Sequence, residues 1–527
     1  MTYSRLNASA ATLTKNRTED SISPFSGMCV TCVDGCIGMC EIGKSAYRGP
    51  EIIYPQPFGI ITTASAKNYP VDLSHFTILG RATGAWGIEP NSDKALFSNV
   101  NLEVCWGREP GIRSKLPFII AALGSTNIAK ANWEGLAVGA AITGTCLTIG
   151  ENVCGMDPDS QLSDGHLLSS KELEWRIRTF REWQEEGYGE IVLQANVEDT
   201  KLGVQEYGIT RLGVKAVEMK WGQGAKDIGG EVKIRDLEKA RLLKKRGYIV
   251  LPDPEDPVVV DAYHRGSFRE FERHSRVGMA NREAFLRRAD DLRKLGAKWV
   301  FLKTGAYRPA DLARAIKWSS EAGIDLLTVD AAGGGTGMSP WRMMNEWGIP
   351  GIELHSMLRE YCDRLAKAGQ YVPPIAVAGG FTFEDQIFKG LSLVAPYAKL
   401  IAWARSPLAA AMVGKNIGRR IEENNLPLYV ERFGTTVSEV FVTAPELHEK
   451  YKDRFAKIPT GAIGIYTYYQ RVAQGLRQLM CGARKFSLEH ISRDDIAALT
   501  PRAAEISGIS LVNDIDREEV EQILKAA

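Results

Sequence analysis

The run Lys220-Trp221-Gly222-Gln223-Gly224-Ala225-Lys226, followed by Gly229-Gly230, sets two lysines, an amide and four glycines behind the apolar stretch Ala216-Val217-Glu218-Met219. Residues of these types at a strand end bring ammonium groups and backbone N–H groups onto an anion. Other apolar runs end in a similar way. Lys303 closes one, Asp330 stands before Gly333-Gly334-Gly335-Thr336-Gly337, and Gly379-Gly380 and Ala404-Arg405-Ser406 close two more. Ala122 to Thr126, Glu151 with Asn152, and Gln194 hold the remaining run ends. Three lysines at one mouth are costly unless an anion compensates them. A single glycine loop reads most plainly as a tight turn, whereas glycine sites after consecutive strands favour a bound phosphate.

These residues need a frame that gathers run ends together. Short apolar or β-branched runs occupy 117–122, 145–150, 190–195, 216–221, 299–304, 326–331, 374–379 and 400–405. Amphipathic stretches separate most of them. Pro309–Gly323 opens on a proline and turns Leu312, Ala315, Ile316 and Ala322 to one side. Arg282–Leu295 does the same with Phe285, Ala289, Leu292 and Leu295, and Gly296 follows it. Thr382–Leu391 opens with a Thr-x-x-Asp variant of the capping box. Continuous apolar strands alternating with helices predict a parallel sheet covered by helices, and eight units predict an α/β (β/α)8 barrel over 115–425. No strand is followed by Gly-x-Gly-x-x-Gly, which weakens an open dinucleotide-binding sheet and makes NAD(P)H a poor lone reductant. Residues 1–114 form a cysteine-rich region, and 426–527 read as a mixed tail ending in short helices. An insertion over about Glu231–Ala280 has the size of a lid or active-site wall.

Composition narrows the function. The 65 basic and 64 acidic residues nearly cancel, which removes the electrostatic case for nucleic acid or an anionic membrane. Met1–Asp20 lacks an apolar signal core, and Leu136–Gly150 is too short to span a bilayer, so a cytoplasmic protein is expected. The seven histidines show no His-Glu-x-x-His spacing, and a Gly-x-Ser-x-Gly elbow is missing, which argues against zinc and serine hydrolases. Trp221, Trp299, Trp318 and Trp403 read as barrel packing.

Cys29, Cys32, Cys36 and Cys40 give C-x2-C-x3-C-x3-C, a run that resembles a ferredoxin ligand set stretched by one residue. If its second half is helical, Cys32, Cys36 and Cys40 share one face. A 4Fe-4S cluster is the expectation, zinc the alternative, and free thiols the last choice. The remaining five cysteines, Cys105, Cys146, Cys154, Cys362 and Cys481, are expected as packed thiols.

The constellation at the run ends resembles the FMN-binding synthase domain of the glutamate synthase family over about 115–415. The segments that carry the likeness are Ile119–Ser125, Thr148–Asn152, Gln194, Met219–Lys226, Leu302-Lys303 and Gly334–Pro340. Two departures touch the substrate side: Asp227-Ile228-Gly229-Gly230 lacks a glutamate of the family pattern, and Gly333 stands where an acidic residue is usual. The family's three-cysteine 3Fe-4S site is missing, because no cysteine lies between Cys362 and Cys481. The resemblance implies FMN held by Ala122, Gly124, Ser125, Gln194, Lys220, Lys303, Asp330, Gly334, Gly335, Thr336, Gly379, Gly380, Arg405 and Ser406. It implies reduction of an imine, formed from 2-oxoglutarate and ammonia or an amine, to glutamate. Lys220, Lys303 and Glu151 would be catalytic, and Gln223, Lys226 and Asn152 would bind substrate. An N-alkylglutamate synthase or an electron-transfer flavoprotein subunit is the alternative on the same barrel. Implied partners are ferredoxin or a reductase subunit, a separate glutaminase subunit since no cysteine follows Met1, and a second copy in a homo-oligomer. Lys220 and Lys303 end neighbouring strands, so their ammonium groups are expected to share one anion. Replacing either by Met is then expected to relieve repulsion and leave folding intact.

Overall fold

The computed structural model describes residues 34–38, 40–49, 69–224, 231–268, 270–332, 334, 343 and 346–525. Eight parallel strands close into a barrel. They are β1 Phe118–Leu123, β2 Cys146–Ile149, β3 Ile191–Ala195, β4 Ala216–Lys220, β5 Trp299–Thr304, β6 Leu326–Asp330, β7 Ile375–Ala378 and β8 Ala398–Trp403. Each lies within two residues of its predicted run. The continuous apolar character of β2, β3, β5, β6 and β7 matches their burial along the whole strand. Alternate residues fill the interior, where Ile119, Val192, Phe301, Leu326 and Leu400 meet the small Ala121, Ala216, Ala376 and Ala402.

The helices follow their apolar stripes. Pro309–Glu321 starts on its proline and buries Leu312, Ala315 and Ile316. Arg282–Lys294 is capped by the Asn281 side chain, which accepts from the Ala284 N–H at 3.0 Å, and it buries Phe285, Ala289 and Leu292. One cap differs from the sequence reading. The helix after β7 starts at Glu384, and the Gln386 side chain, not a Thr382–Asp385 box, accepts from the Thr382 and Phe383 N–H groups at 2.7 and 3.1 Å. A glutamine one turn in reaches back further than Asp385 could.

The flanking segments pack on the barrel and on each other. The antiparallel hairpin Val104–Trp106/Ile112–Ser114 plugs its N-terminal end, with the Trp106 ring 5.4 Å from that of Phe301. Strand Phe76–Ile78 pairs with Ile496–Ala498, joining the two flanks in one small sheet. Helix Thr460–Gly482 lies along Arg405–Glu422. A Cβ on Gly414 would come within 2.5 Å of the Thr460 carbonyl, so glycine sets that close approach. Between β4 and β5 the insertion folds into a three-stranded antiparallel sheet, Glu231–Ile234, Phe271–His274 and Ile249–Leu251, with Leu237, Leu243, Tyr248 and Phe271 as its own core.

Of the cysteine run, Cys29 and Cys32 lie outside the described residues. Cys36 and Cys40 do not share a helix face. Gly35 and Gly38 take φ of 90° and 86°, and the helix begins only at Glu41 with Cys40 as its N-cap. Among the other cysteines Cys146, Cys154 and Cys362 are buried and Cys481 half-buried, whereas Cys105 is exposed on the outer face of the hairpin. Among the described residues no helix is long and apolar enough to cross a membrane.

Candidate active site at the barrel mouth

Strand register brings the predicted residues together. Lys303 lies opposite Lys220, and Gln194 lies opposite Glu218. Lys220 Nζ donates to Glu151 Oε1 at 2.5 Å and to Gln223 Oε1 at 3.0 Å. Lys303 Nζ sits 3.4 Å from Asp330 Oδ2. Burial pulls the Lys303 pKa down, but the charges of Asp330 and Glu218 outweigh it and hold the ammonium above its ordinary value. Glu218 is buried, which raises its carboxyl, and it accepts from Gln194 Nε2 at 2.6 Å. Each of the two lysines faces a carboxylate of the chain itself.

Asp330 also accepts from the Gly224 N–H at 3.2 Å, tying the Gln223-Gly224 turn to the end of β6. Glycine is required on both sides of that tie. A Cβ on Gly224 would meet the Ala331 carbonyl at 1.7 Å, and one on Gly334 would meet Asp330 Oδ1 at 2.1 Å. Lys226, Gly335 and Thr336 lie outside the described residues.

Gly379 and Gly380 have φ of 129° and 104° at the end of β7. Helix Arg405–Glu422 starts directly after β8, and no side chain caps it at Ala404. Ser406 Oγ donates to the Phe381 carbonyl at 3.0 Å. The Gly379-Gly380 backbone and the start of this helix stand at the ends of the neighbouring strands β7 and β8. At the end of β1, Ala122, Gly124 and Ser125 are half-buried. A Cβ on Gly124 would come within 2.4 Å of the Glu151 carbonyl. Gln194 is 1 % exposed, and its Oε1 is buried without a hydrogen-bond partner among the described residues.

Asn152 takes a left-handed φ of 64°, and its groups are occupied by protein. Its N–H donates to Asp199 Oδ2 at 2.8 Å, its Oδ1 accepts from Tyr248 OH at 3.1 Å, and its Nδ2 reaches Ser275 Oγ at 3.4 Å. Asn152 thus joins the insertion to the mouth, an arrangement that suits a positioning residue better than a substrate contact. Burial pushes Asp199 up to about 7, against the pull of the Asn152 N–H, with Glu151 adding to the rise. Sequence reading missed Glu218, Asp199, Tyr248 and Arg273. Glu218 alone had a signal, since i and i+2 of a strand share a face and Lys220 follows it at that spacing. The four tryptophans are packing groups, as expected. Trp221 stands edge-on to Trp318 at 5.5 Å, and the Trp299 and Trp403 indoles donate to the Pro110 carbonyl and the Tyr469 hydroxyl.

Residues 275–404 match the family model described as the conserved region in glutamate synthase. That stretch is similar to the conserved region of glutamate synthase. That region takes in β5 to β8 and hence Lys303, Asp330 and Gly379-Gly380. Lys220, Glu151 and Gln194 come from strands outside it. No curated protein sequence matches the chain. Among solved structures, the flavin-binding domain of baker's yeast flavocytochrome b2 is similar at a TM-score of 0.46 and 13% identity, covering 85% of this chain and 81% of that one. A putative lactate oxidase of Pediococcus acidilactici gives 0.44 and 14%, over 80% and 82%. An (S)-mandelate dehydrogenase, a monotopic membrane protein, gives 0.43 and 11%, over 81% and 89%.

Proposed function

We propose that the chain is a cytoplasmic FMN-dependent oxidoreductase of the glutamate synthase type. It reduces the imine of a 2-oxo acid, 2-oxoglutarate, and ammonia or an amine to an amino acid. The observation that carries this reading is the pairing of Lys303 with Asp330 inside the conserved glutamate synthase region, beside Lys220 and Glu151. The residues present fit FMN. Gln194 Oε1 offers a buried acceptor with no protein partner, as a ring N–H would need. The Gly379-Gly380 loop and the start of helix 405–422 suit its phosphate. When bound, FMN would supply the hydride that the imine carbon accepts.

The chain's own part is to hold charge and move a proton. Lys303 stays cationic because Asp330 and Glu218 face it, and so can stabilise negative charge beside it. Lys220 and Glu151 share a hydrogen bond at 2.5 Å, so a proton can pass to the imine nitrogen from Lys220 Nζ and be replaced through Glu151. For Cys29, Cys32, Cys36 and Cys40 the proposal is an electron-relaying 4Fe-4S cluster. Support comes from N–H groups directed at sulfur, Gly38 N to Cys36 Sγ and Gly43 N to Cys40 Sγ, each 3.3 Å. Among the described residues no group of three metal-ligating side chains forms. Ferredoxin or a reductase subunit would feed that relay, and a separate glutaminase subunit would supply ammonia.

The test is an anaerobic preparation analysed for released flavin, iron and acid-labile sulfide. FMN is expected, with iron lost in Cys36→Ser; FAD, or a colourless protein that takes up no FMN, overturns the flavin reading. Product analysis with 2-oxoglutarate plus ammonia or methylamine then separates glutamate from an N-alkylglutamate.

A further inference from the structure

Arg273 lies on the Phe271–His274 strand of the insertion and is 1 % exposed. Its Nη1 donates to Ser275 Oγ at 2.5 Å, and its guanidinium lies 5.0 Å from the Tyr248 ring centroid. Its Nε is buried without an acceptor among the described residues. Burial lowers its pKa, while Tyr248, Glu151, Asp199 and Glu198 act on it only through their charge. The three carboxylates are committed elsewhere: Glu151 to Lys220, Glu198 to Arg276 at 2.9 Å, and Asp199 to the Asn152 N–H. Arg176 shows what a settled buried arginine looks like in this fold. It is 0 % exposed and bonds Glu172 through Nε and Nη2 at 3.2 and 2.7 Å. Its Nη1 bonds the Leu123 and Gly124 carbonyls.

A guanidinium has five N–H donors in a fork that matches a carboxylate. Burying one with its Nε unanswered is costly unless a ligand completes it. Ser275, which holds Nη1, also bonds Asn152, the residue after Glu151, so the cation stands beside the Glu151–Lys220 pair. The conserved glutamate synthase region begins at Ser275, which leaves Arg273 just outside it.

We propose that Arg273 is the carboxylate anchor of the substrate site, so that the insertion selects a 2-oxo acid or amino acid by its acid group. This rests on the imine-reducing reading above. The guanidinium grips the carboxylate through paired N–H donors and fixes the carbon skeleton beside Lys220.

The test compares wild type with Arg273→Gln, Arg273→Lys and Arg176→Gln. FMN content and melting temperature are measured on each, and 2-oxoglutarate, L-glutamate and the uncharged diester of 2-oxoglutarate are titrated by calorimetry. Both Arg273 variants are expected to keep full FMN and a melting temperature near wild type, because no protein carboxylate loses its partner. Arg273→Gln should bind 2-oxoglutarate and glutamate roughly 10- to 100-fold more weakly, as loss of a charge-assisted contact implies. Arg273→Lys should recover part of that loss, and the diester should bind all forms equally weakly. In turnover, KM should rise more than kcat falls.

Equal affinity for the acids in wild type and both variants with FMN intact overturns the anchor and leaves the flavin reading standing. So does a wild type that binds neither acid. A fall in melting temperature as large as that of Arg176→Gln makes Arg273 a structural group and also overturns it. Should Arg273→Gln fail to fold, Arg273→Lys decides, and unchanged affinity there counts against the proposal. Absence of FMN sinks the proposed function alone, since calorimetry of the acids reads Arg273 without it.

Discussion

At the N-terminal end of the barrel, Asp325 is 0 % exposed and surrounded by donors. The Arg108 N–H and Nε reach Oδ1 at 3.1 and 3.0 Å, and Arg108 Nη2 and the Val300 N–H reach Oδ2 at 3.3 and 2.9 Å. A cavity of about 280 Å³ lies at this end too, but the Glu103 carboxylate on its wall is already held by Arg113 and Tyr188 at 2.9 Å each. At the opposite end the chain gathers Glu151, Glu218, Asp330, Lys220 and Lys303, leaves Gln194 Oε1 unmet, and sets Lys303 a long 3.4 Å from its carboxylate. One end spends its charges on holding the barrel shut. The other leaves the Lys303–Asp330 contact long and the Gln194 acceptor unmet, where a ligand can compete.

The sharpest way to break this contrast is Asp325→Ala. Removing this buried carboxylate leaves the Val300 N–H unmet and frees Arg108, which is itself 41% exposed, so the cost is that of the lost hydrogen bonds, about 3 kcal/mol. The expected result is the largest drop in melting temperature of the set, with FMN per folded molecule unchanged. A cofactor loss in step with stability would mean that the two ends are not independent.

Lys303→Met comes next. It would take from buried Asp330 and Glu218 the ammonium that faces them both, leaving Glu218 with Lys220 alone, so the harmless substitution expected from the sequence becomes a destabilising one. Loss of the charge-assisted contact, about 1.5–3 kcal/mol, should slow single-turnover reaction with 2-oxo acid plus amine on the order of 10- to 100-fold. Lys220→Met should slow the reaction similarly but lower the melting temperature less. Its pair with Glu151 is partly exposed, at 12% and 19% of side-chain surface.

A third test uses pH. Asp199 is raised from 3.8 to about 7 in the fold. The folded protein therefore keeps a proton that the unfolded chain releases. Its contribution to stability is fully present below pH 3.8 and is lost as pH rises through about 7. Denaturant midpoints at pH 5 and pH 8 should differ less in Asp199→Asn than in wild type; an unchanged difference would remove Asp199 from the pH response. The smallest effect is expected from Tyr248→Phe, which loses the bond to Asn152 Oδ1 and should cost about 1 kcal/mol of stability.

The barrel was legible because its strands are apolar from end to end and its helices carry stripes closed by proline and glycine. The lysines, Glu151, Gln194 and Asp330 were legible because they stand at run ends, where a parallel barrel collects them. What escaped were relations across the fold. Glu218 looks like one polar residue inside a strand until Gln194 lies opposite it. Arg273 sits in a charged stretch, Phe271-Glu272-Arg273-His274, and only the alternation of an antiparallel strand turns it inward. The cysteine spacing suggested a helix face, but two glycines in left-handed conformation break it.

The small sheet that joins Phe76–Ile78 to Ile496–Ala498 sets an order on biogenesis. A strand near residue 76 must wait, on a ribosome, until more than four hundred further residues have emerged before its partner exists. Helix Glu41–Arg48, which follows the cysteines, packs on helices Arg405–Glu422 and Thr460–Gly482, so its seat is complete only once residue 482 has emerged, after the barrel strands. A chain stopped short of residue 496 would leave an open strand edge for a neighbouring chain to capture.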